Sequence, residues 1–156
     1  MEAQLKTQDL RIGNLVTIDN PNAWLKLKDI PLIVTGVNNL ITEDEKKMFP
    51  HSDGKVWMKG EYETYGQFSQ FVSPIPLTEE WMLKFGFENS YRSDFTVTMQ
   101  HATNDKFGIK INVSTGMSLV YLGIPIRIEF VHQLQNLYFA LTGEELTIKE
   151  KSCEEK

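Results

Sequence analysis

Leu77-Thr78-Glu79-Glu80-Trp81-Met82-Leu83-Lys84-Phe85-Gly86-Phe87 carries the clearest local signal in the chain and divides it in two. It reads as a short helix with both ends marked. Thr78 is placed to accept an orphan N–H as N-cap. Glu79 and Glu80 fall in the first turn, where the helix dipole favours negative charge. Leu77 and Met82 have the spacing of a hydrophobic staple. Gly86 suits the left-handed position after the last turn, which lets Phe87 fold back on Met82. Just upstream, Pro74 and Pro76 hold the chain extended and mark the one seam. The expected modules are 1–76 and 77–148, followed by a flexible tail at 149–156.

Upstream of the seam the chain reads as short strands and turns. Leu10 to Ile18 is a turn at Gly13-Asn14 feeding a strand, and Pro31 to Val37 is a second, β-branched one. Leu40-Ile41 opens a third. Thr42-Glu43-Asp44-Glu45-Lys46-Lys47 is read as a solvated charge cluster in a long loop. Lys55–Met58 and Glu61–Tyr65 form a hairpin around Gly60, and Phe71–Ile75 closes the series. Five short strands in about 65 residues point to a small SH3-like β-barrel.

Downstream, Phe95, Val97 and Met99 alternate with polar residues, as do Phe107, Ile109, Ile111 and Val113. That is the period of a sheet with one buried face. Met117–Leu122 is a third strand, and Ile124–Ile128 a short addition after Gly123. A last helix runs from about Phe130 to Thr142, with Val131, Leu134, Leu137, Tyr138 and Leu141 as its apolar stripe and Gly143 as its stop. The expected fold class is α+β: the small barrel, then an α-β-β-β-α unit with both helices on one face of an antiparallel sheet. Trp81, Phe85, Leu134, Leu137 and Leu141 are expected to pack on Phe95, Val97, Ile109 and Ile111. Gln135 is expected on the exposed side of the helix.

Composition narrows the function. The chain has 156 residues, 41% apolar and 24% charged, which suits an ordinary globular protein able to bury a core. One cysteine, Cys153, allows no internal disulfide and points to a reducing, cytoplasmic setting. Met1–Lys6 lacks an apolar run behind a basic start, and no apolar stretch is long enough to span a bilayer, so no membrane association is expected. Net charge is −5 with no basic segment. Phosphate contacts supply most sequence-blind affinity for DNA or RNA, so this balance argues against such a binder. The α-β-β-β-α order is shared with double-stranded RNA-binding domains. Their lysines at the start of the last helix have no counterpart in Glu129-Phe130-Val131-His132, which leaves a nucleic-acid-binding module as a second alternative only.

No phosphate loop, dinucleotide fingerprint, nucleophile elbow or zinc-protease pair is present. His51 and His101 sit near Asp53 and Asp105 in polar loops, and nothing in the spacing converges three or four ligands. No catalytic residue, metal or cofactor is expected, and Cys153 has no neighbour to lower its pKa. An enzyme would need acid–base groups hidden in a cleft without a motif, His101 with Asp105 being the pair to watch. Two surfaces remain as partner-binding candidates. Trp57, Tyr62, Tyr65, Phe68 and Phe71 crowd one segment, where aromatics either fill a small barrel or form a binding hot spot. His132, Gln135, Asn136 and Phe139 share one face of the last helix, either as a polar contact surface or as a solvated side.

Three stretches, Leu10–Val16, Pro74–Phe87 and Val131–Leu146, resemble an uncharacterised family of small proteins from gut Bacteroidota, their phages and mobile elements. The loop at 42–54 looks like an insertion relative to it. The resemblance implies a phage or mobile-element setting and transfers no activity. The leading expectation is a non-enzymatic protein of such an element, acting by protein–protein contact in counter-defence, host takeover or virion assembly. The alternative is a protein that binds or sequesters a small molecule such as a nucleotide, in a pocket between modules.

Overall fold

The computed structural model describes residues 5–22, 27–93, 96–101, 104–112, 116–121 and 124–149. Of residues 96–97, 104–112, 116–121 and 124–125 it describes the backbone alone. The fold is α+β, with two antiparallel five-stranded sheets and three α-helices among the described residues. Two compact units share the chain: Met1–Ile75 with Phe130–Asn136, and Pro76–Glu129 with Leu137–Lys156.

The first unit holds β1 (Leu15–Ile18), β2 (Leu32–Asn38), β3 (Lys55–Lys59), β4 (Thr64–Phe68) and β5 (Val72–Pro74), in the order β4-β3-β2-β1-β5. Alternation builds its core. Leu32 and Val34 on β2, and Val56 and Met58 on β3, point inward and join Val16, Ile18 and Val72. The described strands form an open sheet rather than a closed barrel. Leu40-Ile41 forms no strand, because β2 runs on to Asn38 and Leu40 is exposed. The charge cluster is not a loop. It is helix α1 (Glu43–Met48), entered through a full capping box in which Thr42 Oγ1 accepts from Glu45 N and Glu45 accepts from Thr42 N.

The second unit opens with α2 (Glu79–Lys84). Thr78 caps it by accepting from Trp81 N, and Gly86 takes φ +85° beyond its end. A side chain at Gly86 would also collide with Lys149, whose N–H donates to Lys84 O at 2.9 Å. Its sheet runs β10-β9-β8-β7-β6, from β6 (Phe87–Arg92), β7 (Thr96–His101), β8 (Asn104–Asn112), β9 (Gly116–Tyr121) and β10 (Ile124–Arg127). The expected three strands and the short addition at 124–128 are therefore joined by one further edge strand, β6. Strand β6 escaped notice because only Phe87 on it is buried, which leaves no alternation to read. Pro125, which has no N–H for a ladder, is tolerated because β10 is an edge.

Helix α3 (Val131–Thr142) ends as expected at Gly143, with φ +76°. Residues 130–136 belong with the first unit, whereas the linear reading placed them in the second module. Leu141 is exposed, so the apolar stripe is not buried along its whole length. Of the expected sheet partners, Phe95 lies outside the described residues, as do the side chains of Val97, Ile109 and Ile111.

Candidate functional site

The aromatic crowd of the first unit divides between core and surface. On β3, Lys55, Trp57 and Lys59 alternate with buried Val56 and Met58. Trp57 pairs in register with Gly36 on β2 and with Gly66 on β4. A Cβ at Gly66 would lie 3.3 Å from the indole Nε1, and one at Gly36 would lie 3.5 Å from Cε3. The indole thus lies across two bare backbones and covers the positions where neighbouring side chains would otherwise stand. Trp57 stays 39% exposed and Tyr62 87% exposed, with Ile33 also open on the same strand series. Tyr65, in contrast, packs against the core.

Phe68 and Phe71 are held by Phe49, which follows the charge cluster at 42–47. The exit of α1 delivers Phe49, which stacks on Phe68 at 3.9 Å and meets Phe71 edge-on at 6.0 Å. Lys55 lies over the Phe68 ring at 5.3 Å and pairs with Glu45 of α1. That ammonium, and the Thr42 amide, hold the Glu45 carboxyl below its ordinary range.

The polar face of α3 divides too. Gln135 is only 2% exposed. Its Oε1 accepts from Leu15 N at 2.8 Å and its Nε2 donates to Gly13 O at 3.1 Å. Asn136 accepts from Asn14 Nδ2 at 2.9 Å and donates to Asp9 O at 3.0 Å. Asn14 in turn accepts from Arg11 N at 2.7 Å. The two amides clasp the turn that feeds β1, and Gln135 gives the buried Leu15 N–H its partner. The expected exposure of Gln135 is corrected by these bonds. Phe139, one turn further on, is exposed in the second unit.

His132 is 2% exposed, and its Nδ1 is sealed from water with no hydrogen-bond partner. Burial pushes its pKa down to about 4 against a weaker upward pull from the Asp9 carboxylate, so the ring is neutral at pH 7. The Phe130 ring stacks on it at 5.9 Å, nearly parallel. Both line a cleft of about 460 Å³ within the first unit. Leu5 and Pro74 supply further apolar wall, and Asp9, Gln133 and Asn136 the polar wall. The sequence carried no sign of this cleft beyond the spacing of His132 and Asn136 on one helical face, because Leu5, Asp9 and Pro74 come from distant points of the chain.

The other histidines do not gather. His51 is exposed. His101 is buried at the end of β7 rather than in a polar loop; its Nε2 sits 3.2 Å from Phe85 O, and its ring lies against Phe87 and Tyr138. Burial lowers its pKa. The Asp105 side chain and Cys153 lie outside the described residues. Among the described residues no group of three or more His, Cys, Asp or Glu could hold a metal ion, and no helix is long and apolar enough to cross a membrane. Compared with family models, curated proteins and solved structures, the chain matches none of them.

Proposed function

We propose that this chain is a binding protein that contacts another protein through the outer face of its first sheet, centred on Trp57. The observation that carries the reading is the indole laid flat across Gly36 and Gly66 while still 39% exposed. A large, rigid aromatic on a flat strand surface presents contact area at little entropic cost, which is why such residues recur as binding anchors. The strand order β4-β3-β2-β1-β5, with the one-turn 3-10 helix Ser69–Phe71 leading into β5, supports an SH3-like reading of this unit. The sequence resemblance supports a phage or mobile-element setting, in which such contacts serve counter-defence, host takeover or virion assembly.

The test compares what the wild-type chain and Trp57→Ser retain from a bacterial host extract. Leu83→Ser, at an exposed apolar position on α2, serves as control. A specific partner is expected with wild type and with Leu83→Ser, and is expected to be lost with Trp57→Ser while the far-UV spectrum is unchanged. Identical capture by all three, or no specific partner for any, would overturn the proposal.

A further inference from the structure

We propose that β4, the outer strand of the first sheet, pairs with the β4 of a second copy of this chain, antiparallel about a two-fold axis at Gly66. The contact runs along the edge of the sheet rather than across its face, and it does not depend on the reading above. A sheet edge presents unpaired N–H and C=O groups, and proteins ordinarily blunt it. The other edges are blunted. β5 is three residues long and ends at Pro74. β10 carries Pro125 and Arg127. β6 carries Glu88 and Arg92, and its register shifts between Asn89 and Tyr91. β4, Thr64-Tyr65-Gly66-Gln67-Phe68, has no proline, no charge and no bulge against β3.

The register decides which groups face outward. The β3–β4 hairpin closes with Gly60 N donating to Glu63 O at 2.8 Å, and beyond its far end Ser69 N donates to Gly54 O at 3.0 Å. In an antiparallel ladder bonded and non-bonded residue pairs alternate. Between those ends Tyr65 and Gln67 therefore bond to Met58 and Val56, whereas Thr64, Gly66 and Phe68 turn their N–H and C=O away from β3. Among the described residues no turn or loop hydrogen bond meets these outward groups. Thr64 and Gly66 are exposed, and a Cβ at Gly66 would meet only the Trp57 indole within 4 Å.

The strand is its own complement, which chooses the occupant. Its outward residues sit symmetrically about Gly66. Turned end for end, a second β4 sets Gly66 opposite Gly66 and Thr64 opposite Phe68, so each outward N–H finds a C=O. Thr64 beside Phe68 is a β-branched and aromatic match on each side of the axis, a favourable cross-strand pair. No like charges meet, since the strand has none. A foreign strand would find the same hydrogen bonds, but nothing on β4 selects its side chains.

Sedimentation velocity of the full chain from micromolar to millimolar concentration, with amide hydrogen exchange at both limits, tests this. Dilute protein is expected to be monomeric, with fast exchange at Thr64, Gly66 and Phe68 and slow exchange at Tyr65 and Gln67. Concentrated protein is expected to be dimeric, with the outward amides slowed at least about tenfold. Thr64→Pro removes an outward N–H and no bond to β3, so it is expected to fold and to stay monomeric. Ile33→Lys, at an exposed position on β2, is expected to dimerise as wild type does. Should Thr64→Pro not fold, the exchange pattern of the wild-type dimer still decides. A chain that is monomeric at millimolar concentration overturns the proposal. So does a dimer whose outward amides stay fast, or one that Ile33→Lys abolishes. Outward amides that slow in the monomer, and only on addition of a bacterial host extract, assign the edge to a foreign strand and overturn it too.

Discussion

On the outer face of the first sheet a tryptophan remains in contact with water, while on the first turns of α3 a histidine and a glutamine are sealed from it. Residue type alone would assign the opposite places. The neighbours reverse the assignment. Around Trp57 the strands offer glycines, so the indole finds a bare surface to lie on and no cavity to enter. Around Gln135 the Gly13–Leu15 backbone offers an unpaired carbonyl and an unpaired N–H, and one amide answers both. A buried polar group is retained where it completes another group's hydrogen bonding, and an apolar one is left outside where packing has no room for it. His132 stands apart from both, since it is buried and completes nothing.

The largest expected effect lies in the pH dependence of stability. In the unfolded chain His132 titrates near 6.5, and in the fold near 4. Above about pH 6.5 the ring is neutral in both states and its contribution is intact. As pH falls from there toward 4, the unfolded chain takes up a proton that the fold refuses. Up to about 3 kcal/mol is then lost, and nothing further from this ring at lower pH. His101, lowered chiefly by burial, acts in the same direction. Urea unfolding at pH 7 and pH 4.5 measures the loss, and His132→Gln should remove much of it. A slope unchanged in that variant would place His132 in water.

Gln135→Ala comes next. It leaves Leu15 N and Gly13 O without partners and should destabilise by about 2–3 kcal/mol in urea unfolding. A loss within about 0.5 kcal/mol, the signature of an exposed site, would break the contrast with Trp57. Trp57→Ala should cost less, about 1–2 kcal/mol, since the indole packs on one side only. A larger cost would make Trp57 a core residue and weaken its role as an anchor. Tyr62→Ala, at the most exposed aromatic of the segment, should leave the melting temperature within about 2 °C of wild type. If it also weakens partner capture, the proposed surface extends beyond the indole.

Helix α2 was legible in the sequence because its signals are local: Thr78 and Gly86 act on backbone groups within one turn of themselves. Helix α1 was equally local, with Thr42 and Glu45 at capping-box spacing, but the density of charge from 42 to 47 masked it. Among the described residues α1 buries none of its own side chains, so no apolar stripe announced it. Strands of the first unit were legible from the β-branched residues of β2 and from turn residues at Gly13-Asn14 and Gly60. Strand β6 was not, since an exposed edge strand obeys no hydrophobic period.

The sequence by itself determined the class of fold, the capped helix at 79–84 and the glycine stop at 143. These follow from interactions spanning a few residues, whose geometry the backbone dictates. Tertiary structure alone decided that the sheet of the first unit is open and that Gln135 is interior. It alone placed Phe49 against Phe68, and brought Leu5, Asp9, Pro74 and His132 around one cleft. Those outcomes depend on which backbone groups and side chains arrive from elsewhere in the chain, as Gln135 reaches Leu15 across 120 residues. The local code carries no information about such arrivals, because burial is a property of the neighbours and not of the residue.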